Sequence, residues 1–180
     1  MKKSKKIALI VLTSLLAVVG FCVISSWRSA QAMADELNCC NHIKDLAVAL
    51  LIYENDNNDA FPPLNKWCDA LVASETNQTP PRTYSFRCPS ASAKQACGFS
   101  INANLRNVKD RTQVRDDTVI LFESDGGWNS VGGLSNAVAR HYGPRLWVAF
   151  ADGTIKDVWL KDIGSLRWLP TTNTSLLEVK

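Results

Sequence analysis

Proline and glycine are nearly absent from the first 60 residues of the chain. Gly20 is the only glycine before Phe61, and no proline occurs before Pro62. Because these two residue types disfavour helix interiors more than any others, their absence allows one helix from about residue 6 to about residue 56.

Charged residues are missing from residues 7 to 24, where Thr13, Ser14 and Gly20 interrupt an otherwise apolar run. A helix needs about 20 apolar residues to cross a bilayer, and the run reaches that length if it continues to Trp27. Four lysines precede it and favour a cytoplasmic N-terminus. We therefore expect a single-pass inner-membrane protein whose body lies outside the cytoplasm, in the periplasm.

A cleaved secretory signal is the alternative to a retained membrane anchor. Ala30-Gln31-Ala32 offers a cleavage site of the A-x-A type before Met33. Against cleavage, the apolar run is longer than the usual signal core of about 7 to 15 residues, and Arg28 lies between the run and the site. We prefer the retained anchor, and either interpretation places the body outside the cytoplasm.

A strong net charge is also missing from the chain. The formal charge is +3, but Lys2, Lys3, Lys5 and Lys6 supply four of the 20 basic residues, and the remaining 16 face 17 Asp and Glu. The rest of the chain is therefore close to −1. Without a basic field to hold a polyanion, we expect no binding to nucleic acid.

An amphipathic pattern follows the apolar run. Apolar residues at steps of three and four predict a buried helix face; they are Leu37, Cys40, Ile43, Ala47, Leu50 and Tyr53. The Asn- and Asp-rich stretch 55–59 favours a helix end, and Pro62 and Pro63 prevent the helix from continuing.

The remaining two thirds of the chain predict short elements. Residues 67–73 favour a second helix, residues 99–105 a short strand or a turn, and residues 118–122, 146–150 and 154–159 strands. Asp152-Gly153 between the last two strands predicts a hairpin, and the glycines between residues 126 and 133 predict an exposed loop. The expected fold class is α+β: a long, partly transmembrane N-terminal helix packed on a small antiparallel sheet.

Disulfides are the expected use of the cysteines outside the cytoplasm. Cys88 and Cys97 flank a short polar loop and are the first candidates for a bond. Cys68 could then reach Cys39 or Cys40, and we assign it to Cys40. A zinc site is the competing hypothesis, but the sequence has no C-x-x-C pair and only two histidines.

The stretch CCNHIKDLAVALLIYENDNNDAFPP, residues 39–63, resembles the segment after the membrane helix in bacterial prepilin-like proteins. That segment typically reads C-x-N-N-L-K-Q-I-G-x-A-L-x-x-Y, then a polar patch, then F-P-P. The matching positions in this chain are Cys40, Asn41, Lys44, Ala49, Leu50, Tyr53, Phe61, Pro62 and Pro63.

Later stretches resemble further parts of the same family, the prepilin-type or type II secretion pseudopilin-like proteins with a C-terminal H-x9-DG motif. They are FRCPS with Cys88 and Pro89, FSINANL, DDTVILFES, and RHYGPRLWVAFADGT with His141, Asp152 and Gly153. Ten residues separate His141 from Asp152, where the motif name implies nine. Taken in order, these matches cover residues 38–160.

The resemblance implies a pilin-like architecture in three parts. Residues 1–27 would be the cytoplasmic lysines and membrane anchor, 28–60 the periplasmic half of the long helix, and 61–180 the globular head. The implied function is a structural or accessory subunit of a type II secretion or type IV pilus-like system, without enzymatic activity. Its partners would be the membrane and other pilin-like subunits or secretion-machine components.

Two further expectations come from the family. Prepilins carry a cleavable Gly before the apolar helix, whereas Lys6 precedes Ile7 here, so we expect an unprocessed N-terminus and an accessory subunit. We expect no cofactor; because related pseudopilins hold calcium in a C-terminal loop, Ca2+ is the alternative that the resemblance implies. Glu123 and Asp125 are the candidate ligands, although no twelve-residue EF loop is present.

Two other functions compete with the structural one. A membrane-tethered or secreted binding module for a sugar or peptide would use exposed aromatics, for which Trp128 and Trp168 are candidates. A hydrolase would use His141 with Asp152 and Glu123, but the sequence places no nucleophile beside them. We interpret His141 and Asp152 as residues that shape the hairpin.

Overall fold

A computed structural model of the chain describes residues 2–75, 85–92 and 94–170. Residue 1 of the predicted anchor and residues 76–84, 93 and 171–180 of the predicted head lie outside the described residues. The chain forms two compact units, Met1–Asp35 and Glu36–Lys180.

The first unit contains the N-terminal part of helix α1, which runs from Lys2 to Asp56. By length and composition, α1 is the one helix of the described part of the chain that could cross a membrane. From residue 11 to residue 24, every position except Gly20 is exposed, and the exposed side chains are overwhelmingly apolar. A soluble helix would bury such side chains, so this segment has the character of a membrane span.

The second unit contains the rest of α1, one face of which is buried. Cys39, Ile43, Leu46, Ala47 and Leu50 are fully buried there. Their spacing of four, three, one and three residues keeps them on one side of a helix with 3.6 residues per turn. This amphipathic half therefore packs on the remainder of the unit, as the sequence predicted.

The buried face is rotated from the predicted one. Leu37 is 59% exposed and Cys40 is only partly buried, although the prediction placed both on the face. The prediction omitted Leu46, and including it moves the centre of the apolar face towards Cys39. This small rotation decides which of the two adjacent cysteines points into the core.

The end of α1 confirms the predicted sharp exit. Asn57 donates its side-chain amide to the carbonyl of Tyr53 at 2.8 Å, and Asn58 and Asp59 adopt positive φ angles of 56° and 61°. Asn and Asp tolerate this left-handed conformation better than other side chains do. The chain then leaves the helix before the buried Pro62.

The head contains a second helix and a five-stranded sheet. A single turn, Leu64–Lys66, leads into α2 at Trp67–Glu75. The strands are β1 Phe99–Asn102, β2 Val119–Glu123, β3 Val131–Gly132, β4 Arg145–Phe150 and β5 Ile155–Trp159. The predicted second helix and three predicted strands are thus confirmed, and β1 occupies the stretch predicted as a short strand or a turn.

The sheet is mixed, which corrects the antiparallel prediction. Its strand order is β3-β1-β2-β4-β5. β1 pairs antiparallel with β2, and β4 pairs antiparallel with both β2 and β5, but β3 runs parallel to β1. β3 is two residues long and lies in the stretch that the glycines marked as a loop, so the sequence carried no strand signal for it.

The central strand β2 is buried along its whole length because each face of the sheet is covered. On one face, Ile120 and Leu121 join the cluster formed by α1 and α2. On the other, Val119 and Phe122 join β4, β5 and a turn at Leu160–Ser165. A strand covered on both sides reads as a continuous apolar run, as residues 118–122 do.

A buried carboxyl lies at the C-terminal end of α1. Glu54 is 3% exposed, and its nearest cation is Arg111, whose Nε lies 3.8 Å from Oε2. Arg111 also donates to the carbonyls of Val114 and Ala151 at 2.7 Å each. Among the described residues Oε2 accepts no hydrogen bond. Burial raises the pKa of Glu54 to about 7, with Arg111 opposing the shift.

Glu54 should make the stability of the protein depend on pH. Its pKa is higher in the folded state than its ordinary value of 4.5, so the folded state gains most when Glu54 is protonated. This gain is complete below about pH 4.5 and is lost as the pH rises through about 7. We expect Glu54→Gln to become more stable relative to the wild type over that range, by at most about 3 kcal/mol.

Thermal unfolding of both proteins between pH 4 and pH 8 measures this difference. Asp56→Asn is the matched control, because Asp56 lies on the same helix end but is exposed. A Tm difference between Glu54→Gln and wild type that stays constant with pH would contradict the assignment.

Candidate functional site

A disulfide joins α1 to the loop before β1. Cys39 and Cys88 are bonded across 49 residues of sequence, and their Cα atoms lie 4.7 Å apart. Both residues are fully buried. Gly98 packs against this bond so closely that a Cβ there would lie 2.9 Å from the backbone nitrogen of Cys88, so glycine is required at that position.

This bond corrects the predicted pairing of Cys88 with Cys97. The rotation of α1 described above brings Cys39 into the core, where it meets Cys88, and leaves Cys40 unpaired. In the resembled pattern C-x-N-N the cysteine stands two residues before the first Asn, which is the spacing between Cys39 and Asn41.

The predicted bond between Cys40 and Cys68 is also not made. Cys68, on α2, instead lies beside Cys97. The sulfur of Cys68 accepts the backbone N–H of Asn129, and the thiol of Cys97 donates to the carbonyl of Phe99, each at 3.3 Å. Both cysteines are fully buried. The neighbouring Cys97, together with burial, raises the pKa of Cys68. A buried thiol of raised pKa is a poor nucleophile.

Glu123 and His141 form a buried polar pair next to the disulfide. His141 Nε2 lies 2.8 Å from Glu123 Oε1, and the two side chains are 1% and 0% exposed. The other carboxylate oxygen accepts the backbone N–H of Trp147 at 2.9 Å. Glu123 ends β2, and His141 lies just before β4, so the pair is placed by two adjacent strands.

The disulfide and this pair converge on one point. One ligand atom each from Cys39, Cys88, Glu123 and His141 lie within 4.8 Å of one another. The four residues come from α1, a loop, a strand end and a turn, which are far apart in sequence. His42 is near Cys40 in the sequence but is not part of this group, whereas His141 is brought beside the two cysteines only by the fold.

Asp125 does not join this group. Its carboxylate pairs with Arg140, which also donates to the carbonyl of Ser124 at 2.6 Å and to that of Gly98 at 3.2 Å. Glu123 and Asp125 therefore face different partners and do not combine in the manner of an oxygen-rich calcium site. The geometry gives the calcium hypothesis no support.

Asp152 and Gly153 form the turn between β4 and β5. Asp152 Oδ1 accepts hydrogen bonds from the backbone N–H and the hydroxyl of Thr154, at 2.8 and 2.6 Å, and Gly153 adopts a φ of 82°. Although partial burial opposes it, these hydrogen bonds lower the pKa of Asp152. Asp152 thus shapes the hairpin and stands apart from the His141 pair.

The remaining motif residues surround the junction of α1 and the head. Tyr53 and Phe61 are half-buried against the main core, and Pro62 is buried. Asn41, Pro63 and Pro89 are exposed.

No protein-family model, curated protein or solved structure matches this chain. The resemblance to prepilin-like proteins therefore depends on the motifs and on the arrangement described above.

Loss of the disulfide should destabilise the head. Replacing Cys39 and Cys88 together by alanine should reduce the free energy of unfolding by about 2–5 kcal/mol, because the bond closes a long loop in the unfolded chain. That loss corresponds to a fall in Tm of roughly 5–20 °C. Cys40→Ala, next to Cys39 but only partly buried, should change Tm little. Equal effects of the two changes would contradict the assigned bond.

The remaining head cysteines should differ in reactivity. N-ethylmaleimide added to the native full chain in mild detergent should modify Cys40, and should leave Cys68 and Cys97 unmodified because both are buried. Peptide mass spectrometry before and after denaturation measures this. Modification of Cys68 at the rate of Cys40 in the native protein would overturn the prediction.

Proposed function

We propose that this protein is a structural or accessory pilin-like membrane subunit of a type II secretion or type IV pilus-like envelope system. The observation that carries the proposal is the apolar segment of α1. Between residues 11 and 24 its large side chains are exposed on every side of the helix, including Leu16 at 62% and Phe21 at 73%. Such a surface needs either lipid or the apolar helices of neighbouring subunits around it.

The disulfide supports placing the head outside the cytoplasm. Disulfides persist in oxidising compartments and are rare in the cytoplasm, and the Cys39–Cys88 bond begins fifteen residues after Ile24. Together with the lysines before the apolar run, this gives one orientation: N-terminus inside, head outside.

The head supports a role without chemistry of its own. The buried His141–Glu123 pair is closed off from solvent, so a substrate in solution would not reach it. General acid–base catalysis needs a group within hydrogen-bond reach of a bound substrate. The work of this protein would then lie in contacts between subunits, through the apolar helix and the surface of the head.

An exposed aromatic favours the second candidate, a tethered binding module. Trp128 is 42% exposed, lies 4.8 Å from the ring of Phe86 between centroids, and donates its indole N–H to Asp69 at 2.7 Å. A rigid, half-exposed indole beside a carboxylate is suited to stacking against a sugar ring. In this function the apolar helix only holds the head at the membrane.

Cys22 offers a direct test of assembly. It is an exposed thiol within the apolar segment. In membranes that contain the full chain with Cys40→Ser, a membrane-permeant bismaleimide should join Cys22 to an adjacent pilin-like subunit or to a second copy, because subunits of such assemblies share this helix. Mass spectrometry of the crosslinked band identifies the neighbour.

The control for this experiment is Cys22→Ser in the same background, which should yield no crosslinked band. Deleting residues 7–24 should release the head from the membrane fraction. If Cys22 stays monomeric in native membranes while Trp128→Ala abolishes binding of a sugar or peptide, the binding-module function replaces the structural one.

A further inference from the structure

Two ionisable side chains are buried beside a disulfide that does not need them. Burying a carboxylate and an imidazole costs several kcal/mol unless they are well paired, whereas the neighbouring S–S bond is satisfied without polar partners. We propose that Cys39, Cys88, Glu123 and His141 form a zinc site when the disulfide is reduced. The four residues would then hold one Zn2+ ion in place of the covalent bond.

The donor set suits zinc. Two thiolates, one imidazole and one carboxylate are the ligand types that Zn2+ takes in tetrahedral sites. Soft sulfur donors disfavour Ca2+ and Mg2+, which prefer oxygen. With two thiolates and one carboxylate around Zn2+, the site carries a formal charge of −1.

The spacing of the four ligand atoms also suits a single ion. Zinc–ligand distances of about 2.0–2.3 Å require ligand atoms about 3.3–3.8 Å apart in a tetrahedron. The four atoms already lie within 4.8 Å of one another. Breaking the S–S bond frees the sulfurs to separate, and shifts of about 1 Å by the other side chains complete the shell.

The surroundings of Glu123 support its role as a ligand. The backbone N–H of Trp147 donates to one carboxylate oxygen at 2.9 Å, which leaves the other oxygen, Oε1, directed at His141. Outer hydrogen bonds of this kind orient the carboxylates that bind metals. Glu123 lies on β2 and Trp147 on β4. Their hydrogen bond, which orients the Glu123 carboxylate, therefore does not require the disulfide.

The disulfide form is converted to the zinc-bound form in two steps, each of which balances in atoms and charge. In the first step, a phosphine reductant is oxidised to a phosphine oxide and takes the oxygen atom of one water molecule. The S–S bond accepts the two electrons, and the two protons of the water convert the sulfurs to thiols. Zn2+ then displaces both thiol protons and binds the two thiolates. In either state α1, the loop at Cys88 and the strands remain joined.

The test uses the full chain in mild detergent, reduced with tris(2-carboxyethyl)phosphine and titrated with Co2+. One equivalent should give the visible absorption of tetrahedral cobalt and a sulfur-to-cobalt charge-transfer band, and Zn2+ should displace it. The oxidised chain should give neither band. Glu123→Gln and His141→Gln should each weaken binding about 10-fold or more.

The cysteine pairs provide matched controls. Cys39→Ser with Cys88→Ser should abolish the cobalt spectrum, and Cys68→Ser with Cys97→Ser, in the same core, should preserve it. If reduction lowers Tm, added Zn2+ should restore it in the wild type and in the variant with Cys68→Ser and Cys97→Ser, but not in the variant with Cys39→Ser and Cys88→Ser. Absence of a tetrahedral spectrum and of a Zn2+-dependent rise in Tm in the reduced wild type, or retention of the spectrum after loss of Cys39 and Cys88, would overturn the proposal.

This inference does not depend on the proposed function. If the reduced protein binds zinc but Cys22 forms no crosslink, the metal site is supported and the pilin-like function is contradicted. If Cys22 is crosslinked but the reduced protein binds no metal, the pilin-like function is supported and the metal site is contradicted.

Discussion

The buried face of α1 between Cys39 and Leu50 is the constraint on which the head depends. Ile43, Leu46 and Leu50 are fully buried, and each such side chain contributes roughly 1.5–3 kcal/mol through the loss of contact with water. Helical periodicity fixes the orientation of this face, and α2 and the sheet must cover it. The orientation of this face also turns Cys39 towards the core. The apolar packing therefore determines which cysteine forms the disulfide, and the disulfide in turn fixes the position of the loop at Cys88.

Polar groups buried at the sheet are positioned by the packing around them. Glu123 closes β2, a strand covered on both faces, so its carboxylate has no access to water and must find donors within the protein. His141 and the backbone N–H of Trp147 provide them. Arg140 similarly satisfies the carbonyls of Ser124 and Gly98. These hydrogen bonds link β2, β4 and the disulfide loop.

Sequence patterns predicted the elements whose signal is local. The helix end at Asp56, the hairpin at Asp152 and the buried strand at residues 118–122 each depend on neighbouring residues, and all three were placed correctly. The parallel pairing of β3, at Val131 and Gly132, and the meeting of His141 with Cys88 depend on contacts distant in sequence. The hydrophobic periodicity of a local segment carries no information about such contacts. The disulfide also depends on such contacts, because the predicted pairings were Cys88 with Cys97 and Cys68 with Cys40, whereas the fold brings Cys39 to Cys88.

Charge and exposed surface together limit how this protein can recognise partners. Beyond the first lysines the chain is nearly neutral, so long-range attraction to a charged partner is weak. The exposed large apolar side chains of the described residues are concentrated on α1 between Val11 and Trp27. In lipid the hydrophobic effect no longer drives two helices together, and close packing of side chains decides which helices associate. Gly20 is the only glycine in that segment, a Cβ added there would meet nothing within 4 Å, and small residues of this kind allow another helix to approach the backbone closely.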